Sequence, residues 1–289
     1  MRFIDVDLDG TVVRARLNEK APKTTEAIWN ALPFKGQAVH AQISGEMFRM
    51  LDTTPVGELE LESKVTHQWP GAIVYYPPIK EIAFCAGEAR FSGGVFASTL
   101  TLLAEIEGDF GEFMKKGDSL DRSGARPIEF RRSADQTTPF RAPAYPPRKG
   151  KRLSIDFDGV KVGATLLEDL APKTAAALAA LLPIECDATN DTWGAQITRL
   201  WGPGANGSFK IDVSQAESPK YLAWPGFMYF DPAKHSLRVC YGEADLKDIT
   251  GQIVATPVAA IDPLDLEKYA KKAFAQLTEG KKRIRLQLA

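Results

Sequence analysis

The sequence predicts an all-β protein with short helices, built as two closed β-barrels in tandem. A Leu-x-x-x-Ala-Pro-Lys-Thr segment at 17–24 returns at 167–174, which indicates a duplicated chain. Each copy begins with two stretches of alternating apolar residues joined by Asp-Gly, the pattern of a β-hairpin. Many short strand-like runs with few helices favour a barrel over a parallel α/β sheet.

In both copies the hairpin leads into a short helix. Apolar residues alternate over 4–8 in the first copy and over 153–157 in the second, and an Asp-Gly pair follows each stretch. Pro22 and Pro172 then occupy the first helical position, where the missing N–H costs nothing. The sequence therefore predicts helices that begin at these two prolines.

The later elements also occur twice. Trp-Pro-Gly at 69–71 and at 224–226 precedes an apolar, strand-like run that contains Cys85 or Cys240. These cysteines are interpreted as small buried apolar residues at equivalent positions. A second helix and a closing strand follow each run, with the helices expected at about 109–116 and 264–276.

A proline-rich segment separates the copies. Residues 133–150 contain four prolines and are typical of an extended, semi-rigid linker. The predicted domains are therefore 1–132 and 151–289. Two copies in one chain resemble a fused pair, so both a monomeric pseudo-dimer and a homo-oligomer remain open.

Composition excludes several classes of function. The chain has 289 residues and a formal net charge of −1, without the basic face that nucleic-acid binding requires. It has no apolar run long enough to span a bilayer and no apolar run at its start, so we expect no membrane partner and a cytoplasmic location. Three cysteines, an odd number, argue against a disulfide framework.

Metal and cofactor sites are not expected. His40, His67 and His235 lie on separate segments without the spacing of metal ligands. The glycine loop at 92–94 lacks the lysine and the hydroxyl of a phosphate-binding loop. We therefore predict no metal, no phosphate site and no cofactor.

Three motifs resemble the cyclophilins. The Ala-Pro-Lys-Thr helix start is similar to a cyclophilin helix, and residues 40–49 resemble the family's His-Arg-x-x-Pro-Gly-Phe-Met-x-Gln segment. The run 69–71 followed by 81–85 is similar to its Gly-Pro-Gly and Gln-Phe-Phe-Ile-Cys strands. Both halves together resemble bacterial and archaeal cyclophilin-like proteins of unassigned function, and residues 1–132 resemble the DUF3830 group. The resemblance implies an eight-stranded barrel with helices over its ends.

The departures from cyclophilins fall on the residues that isomerise prolyl bonds. In the first copy Ala41 stands at the catalytic arginine position and Glu46 at the pocket phenylalanine, while Arg49 and Glu81 replace two glutamines. The corresponding residues of the second copy are taken to be Asn190, Ala195, Thr198 and Ser236. Since neither half keeps the arginine or the apolar pocket, the resemblance implies absent or vestigial isomerase activity.

The replacing residues predict a polar groove in the first barrel. Arginine binds carboxylates through paired hydrogen bonds and glutamate accepts from ammonium or amide N–H groups, so the groove suits an amino-acid-derived acid or amide. Glu46 and Arg49 are expected to face Glu81 across neighbouring strands, with the other residues in flanking loops. The predicted ligand-binding residues are Glu46, Arg49, Tyr75, Tyr76, Lys80, Glu81, Glu88 and Arg90.

A catalytic role is also considered. Glu46 and Glu81 would form an acid–base pair if burial raised the pKa of one of them, and His40 is a candidate general base. The first half is expected to be the active one, because its polar residues cluster at the inherited site.

Other interpretations remain open. Glu46 with Arg49, and Glu88 with Arg90, would be ordinary surface ion pairs if they face solvent. The protein would then be a non-catalytic interaction or scaffold protein. A second alternative is a residual peptidyl-prolyl isomerase.

Overall fold

The chain forms two closed antiparallel β-barrels of eight strands each, which confirms the predicted architecture. The structure is a computed structural model. The residues it describes are 1–41, 44–51, 54–91, 98–248 and 250–289. The chain divides into one unit from Met1 to Pro146 and a second from Pro147 to Ala289. The glycine loop at 92–94 lies outside the described residues.

The first unit contains nine strands and three α-helices within its described residues. In chain order these are β1 (Phe3–Leu8), β2 (Thr11–Leu17), α1 (Pro22–Ala31), β3 (Phe34–His40), β4 (Gly45–Met50), β5 (Lys64–Val65), β6 (Ala72–Tyr76), β7 (Glu81–Ala89), β8 (Leu100–Ile106), α2 (Gly111–Asp118), α3 (Leu120–Ser123) and β9 (Arg126–Arg132). A 3₁₀ turn at Pro77–Ile79 joins β6 to β7.

The second unit repeats this order. Its elements are β10 (Arg152–Phe157), β11 (Val160–Leu166), α4 (Pro172–Leu181), β12 (Ile184–Asn190), β13 (Ala195–Trp201), β14 (Leu222–Ala223), β15 (Phe227–Asp231), β16 (Ser236–Asp245), β17 (Lys247–Asp248), β18 (Gly251–Gln252), β19 (Thr256–Ile261), α5 (Leu266–Phe274), α6 (Gln276–Glu279) and β20 (Lys282–Leu288). A 3₁₀ turn at Ala205–Gly207 follows β13.

The two barrels have the same topology. The first is ordered β2-β1-β9-β3-β4-β7-β6-β8 and closes by pairing of β2 with β8. The second follows the same circuit, β11-β10-β20-β12-β13-β16-β15-β19, with β11 paired to β19. The duplication predicted from the helix motif therefore extends to every barrel strand.

The Asp-Gly pairs form the predicted tight hairpin turns. Leu8 pairs with Thr11, which leaves a two-residue loop. Asp9 and Gly10 have φ values of 48° and 85°. Positive φ at both central residues is what a type I′ turn needs, and aspartate and glycine tolerate it best.

Each proline-initiated helix is capped by a glutamate from a distant loop. The residue before Pro22 offers no side-chain cap. Instead, the Glu62 carboxylate accepts hydrogen bonds from the backbone N–H groups of Lys23 and Thr24 at 3.2 and 2.7 Å, and from the Thr24 hydroxyl at 2.9 Å. Glu217 makes the same three bonds in the second barrel. A negative charge at a helix N-terminus is stabilising.

The strands of the first barrel separate an interior core from an apolar outer face. On β4, Phe48 stacks inside the barrel on Phe84 of β7, with ring centroids 4.7 Å apart. Its neighbour Met47 points outward and packs with Val74 and Cys85 in a second buried cluster. We call the side of β4 and β7 that carries Met47 the outer face, and its equivalent on β13 and β16 the outer face of the second barrel.

The two predicted strand cysteines are equivalent, as expected. Cys85 and Cys240 are fully buried free thiols, and each Sγ lies 3.1 Å from the carbonyl oxygen two residues later. Within the described residues, no helix combines the length and apolar composition needed to cross a bilayer.

Much of the predicted linker packs on the first barrel. Nε of Arg14 donates to the carbonyl of Asp135 at 3.1 Å, and the rings of Tyr145 and Phe110 lie 5.4 Å apart. The division between units falls after Pro146, inside the predicted 133–150 segment.

Candidate functional site

An ion pair with one buried end lies on the outer face of the first barrel. Arg49 pairs with Ala83 across β4 and β7, and Glu81 lies two residues before Ala83, so the two side chains share a face. Nη1 of Arg49 donates to Oε2 of Glu81 at 2.6 Å. The Glu81 side chain is 6% exposed and that of Arg49 is 32% exposed, so the guanidinium reaches solvent.

The pair leaves hydrogen-bonding capacity on Arg49. Burial raises the pKa of the Glu81 carboxyl, although the charge and hydrogen bond of Arg49 act against this rise. A guanidinium carries five N–H donors, and among the described residues Glu81 is its one hydrogen-bond acceptor. Other donors on the solvent side of Arg49 can therefore bind a carboxylate or an amide oxygen.

An aromatic and apolar surface adjoins the pair. Tyr76 lies directly opposite Glu81 in the pairing of β6 with β7. Its ring packs 5.1 Å from that of Phe91, beside the cluster that contains Met47. A ligand held by Arg49 would therefore have an apolar surface beside it.

Glu46 belongs to a different part of the strand pair. Its carboxylate accepts a hydrogen bond from the backbone N–H of Glu88 and lies against Gly87. The register between β4 and β7 shifts at this point, and Glu46 is exposed. The structure thus brings Arg49 and Glu81 together and gives Glu46 a separate role in holding the irregular strand.

Tyr75 and His40 lie on the interior side of the first barrel. Tyr75 is in β6, not in a loop, and its side chain is fully buried in the interior core. His40 pairs with Phe48, whose ring is also in that core, and cross-strand partners share a face. Neither side chain is on the face that carries Arg49.

The remaining predicted residues lie near the ends of β7. Lys80 adopts a left-handed turn with φ of 55°, and its carbonyl accepts hydrogen bonds from the N–H and hydroxyl of Thr54. Nη2 of Arg90 contacts Nε2 of His67, a residue that is not among the predicted site residues. His67 lies in a segment without a recognisable motif, so only the fold reveals this contact. Glu88 participates through its backbone N–H.

The strand registers correct the alignment of the two copies. Met47 pairs with Cys85, and Ile197 pairs with Cys240, so β4 and β13 correspond with a constant offset. The second-copy residues Asn190, Ala195 and Thr198 were each aligned one position too early. The observed equivalences are Ala41 with Asp191, Gly45 with Ala195, Glu46 with Gln196 and Arg49 with Arg199.

The corrected alignment explains the role of the Glu46 side chain, because its equivalent in the second barrel makes the same contacts. Oε1 of Gln196 accepts the N–H of Glu243 at 2.6 Å and lies against Gly242, as Glu46 does with Glu88 and Gly87. A neutral amide performs the same task in the second barrel. This repetition supports a structural role for the side chain at this position.

The outer face of the second barrel carries charged side chains at positions that are uncharged in the first barrel. Arg238 stands at the position of Ala83; its Nε donates to Asp191 at 2.7 Å and its Nη1 to Ser236 at 2.7 Å. Nη1 also lies 3.6 Å from Asp231. We call these four buried residues the Arg238 cluster.

The described residues contain no cluster suited to a metal ion. Nowhere among them do three or more histidine, cysteine, aspartate or glutamate side chains come together in a way that could hold one.

Comparison with known proteins bears on the first barrel. A family model described as "Protein of unknown function (DUF3830)" matches residues 4–131. The first barrel matches DUF3830. This confirms the resemblance of residues 1–132 to the DUF3830 group.

Two solved structures are similar in part. "Structure of McbB in complex with tryptophan" is 19% identical with a TM-score of 0.38, and the match covers 50% of this chain and 49% of that chain. The hypothetical protein AF2241 from Archaeoglobus fulgidus is 23% identical with a TM-score of 0.36, over 46% of this chain and 95% of that one. The match spans about half the length of the McbB chain. No curated protein matches the sequence.

Proposed function

We propose that the protein binds a small polar metabolite, an amino-acid-derived acid or amide, on the outer face of its first barrel. The observation that supports this is the partial exposure of the Arg49 guanidinium, which has donors left for a ligand. Buried Glu81 fixes one part of the guanidinium, while 32% of the Arg49 side chain stays exposed. A ligand carboxylate would bind the solvent-facing N–H groups through charge-assisted hydrogen bonds.

The neighbours of Arg49 suggest how the rest of such a ligand would bind. Glu81 would accept from an ammonium or amide N–H, and the ring of Tyr76 would contact an apolar side chain. In this proposal the barrels are cyclophilin-like and the protein is cytoplasmic. Its three cysteines are all free, as is usual in reducing compartments.

The arrangement favours binding over catalysis. Glu81 is paired with Arg49, whereas Glu46 accepts a backbone N–H, so the two carboxylates have different partners. His40 lies on the opposite side of the sheet. Catalytic roles for Glu46, Glu81 and His40 stay predictions.

The test is saturation-transfer NMR with amino acids and their N-acetyl and amide derivatives. We expect at least one member to bind the wild type and to lose binding in Arg49→Gln. Arg131→Gln is the matched control, because it removes a partly exposed ion pair with Asp5 on the same barrel. The proposal fails if no compound binds, or if binding persists in Arg49→Gln with a native circular dichroism spectrum.

A further inference from the structure

The second barrel has a cavity at the position that corresponds to the proposed site of the first. The cavity has a volume of about 190 Å³. The lining residues that matter for its chemistry are Trp193, Arg199, Trp201, Lys234 and Arg238. Arg199 is the equivalent of Arg49, so the same barrel face carries an arginine in both units.

The lining is electropositive. It includes three cationic side chains and one carboxylate, that of Asp191, which Arg238 already binds at 2.7 Å. Arg199 is half-buried, and burial together with the charge of Arg238 lowers its pKa despite the nearby aspartates. An anion bound beside Arg199 would relieve this repulsion.

One donor at the cavity lacks an acceptor among the described residues. Nε of Arg199 is buried without a hydrogen-bond partner. Nη2 of the same guanidinium already donates to the carbonyl of Asn206 at 2.9 Å. Buried polar groups are normally paired, and the unpaired atom here is a donor, so the partner that fits is an acceptor oxygen.

Two indoles give the cavity an apolar, planar wall. The Arg199 guanidinium carbon lies 4.3 Å from the centroid of the Trp201 ring. Trp193 and Trp201 are 47% and 38% exposed, which is unusual for side chains of this size. Cavities of about 150 Å³ hold a benzene ring, so the space is sufficient for one ring and a carboxylate.

We infer that the second barrel binds a small aromatic carboxylate. Its carboxylate accepts a hydrogen bond from Nε of Arg199. Its ring packs against Trp201 and Trp193. The first barrel has Leu51 at the position of Trp201, so the two barrels select different ligands.

The test is titration of the full chain with benzoate, with binding monitored by tryptophan fluorescence and by saturation-transfer NMR. We expect saturable binding with a Kd below about 10 mM. Benzamide has the same ring without the charge and should bind the wild type at least about tenfold more weakly. Benzoate should bind Arg199→Gln at least about tenfold more weakly than the wild type, since either change removes a charge-assisted hydrogen bond. Trp201→Leu, which copies the first barrel, should also weaken binding.

The matched control is Arg131→Gln, which changes a partly exposed arginine of the first barrel that belongs to neither proposed site. It should leave benzoate binding unchanged. Failure of this inference is distinguishable from failure of the proposed first-barrel site, because Arg199→Gln should weaken benzoate binding whereas Arg49→Gln should abolish metabolite binding. Unsaturable binding, equal affinity for benzamide, or equal affinity of natively folded Arg199→Gln and Arg131→Gln for benzoate would each overturn the inference.

Discussion

Removal of the positive charge from the Arg238 cluster should strongly destabilise the second barrel. The side chains of Arg238, Asp191 and Asp231 are 5%, 4% and 2% exposed. Arg238→Met would leave two buried carboxylates without their counter-ion. Breaking a buried ion pair from one side costs about 3–5 kcal/mol, and we expect about 3 kcal/mol because backbone N–H groups still bind both aspartates.

A triple variant separates this effect from a loss of packing. Asp191→Asn and Asp231→Asn keep an amide oxygen for the turn N–H groups and remove the charges that Arg238→Met leaves unpaired. Replacing a whole buried charge set is often near neutral, so the triple variant should recover most of the lost stability. In the first barrel the positions of these three residues hold Ala41, Tyr76 and Ala83, so the fold tolerates an uncharged face there.

The assay is urea denaturation followed by tryptophan fluorescence. Three of the five tryptophans lie in the second barrel, so its unfolding dominates the signal. Arg283→Met is the control; Arg283 is 56% exposed and its ion pair with Asp187 should contribute less than about 1 kcal/mol. The reasoning is wrong if Arg238→Met lowers the free energy of unfolding no more than Arg283→Met does. It is also wrong if the triple variant is no more stable than Arg238→Met.

Four further predictions concern helix capping, titration and activity. Glu62→Gln and Glu217→Gln should each cost about 1 kcal/mol in urea unfolding, because a helix N-terminus loses its carboxylate cap. Hydrogen bonds outweigh burial and lower the pKa of Glu62, so the advantage of the wild type over Glu62→Gln should shrink as pH falls below 4.5; an advantage that grows would contradict this. Burial raises the pKa of Glu81, so the wild type should lose stability relative to Glu81→Gln as pH rises above 4.5, and a relative gain would show that Arg49 dominates instead. A protease-coupled proline-peptide assay should detect no isomerase turnover, whereas turnover abolished by Arg49→Gln would contradict the expected loss of that activity.

Features set by local pattern were predictable from the sequence. Alternation and Asp-Gly predict the hairpins, Pro22 and Pro172 predict where the helices begin, and repetition of these signals predicts two barrels. Each depends on a few adjacent residues. No knowledge of distant contacts was required.

Features that depend on register or on distant loops were not predictable in the same way. A shift of one residue along a strand assigns every side chain to the other face of the sheet. The alignment of the two copies by sequence was shifted in this way, and the shift concealed the equivalence of Arg49 and Arg199. The signal was present, because the spacing from Pro22 to Arg49 equals that from Pro172 to Arg199. By contrast, nothing local to Glu62 indicates that it caps a helix nearly forty residues away.

The central claim is that the solvent-facing side of Arg49 binds ligand, and NMR of the arginine Nε–H resonances tests it most directly. When the compound that binds best in the metabolite screen is added to the wild-type chain, the Arg49 resonance should shift along the same saturation curve as ligand binding, while that of Arg131 stays constant. A saturable ligand that leaves the Arg49 resonance unchanged would contradict the claim.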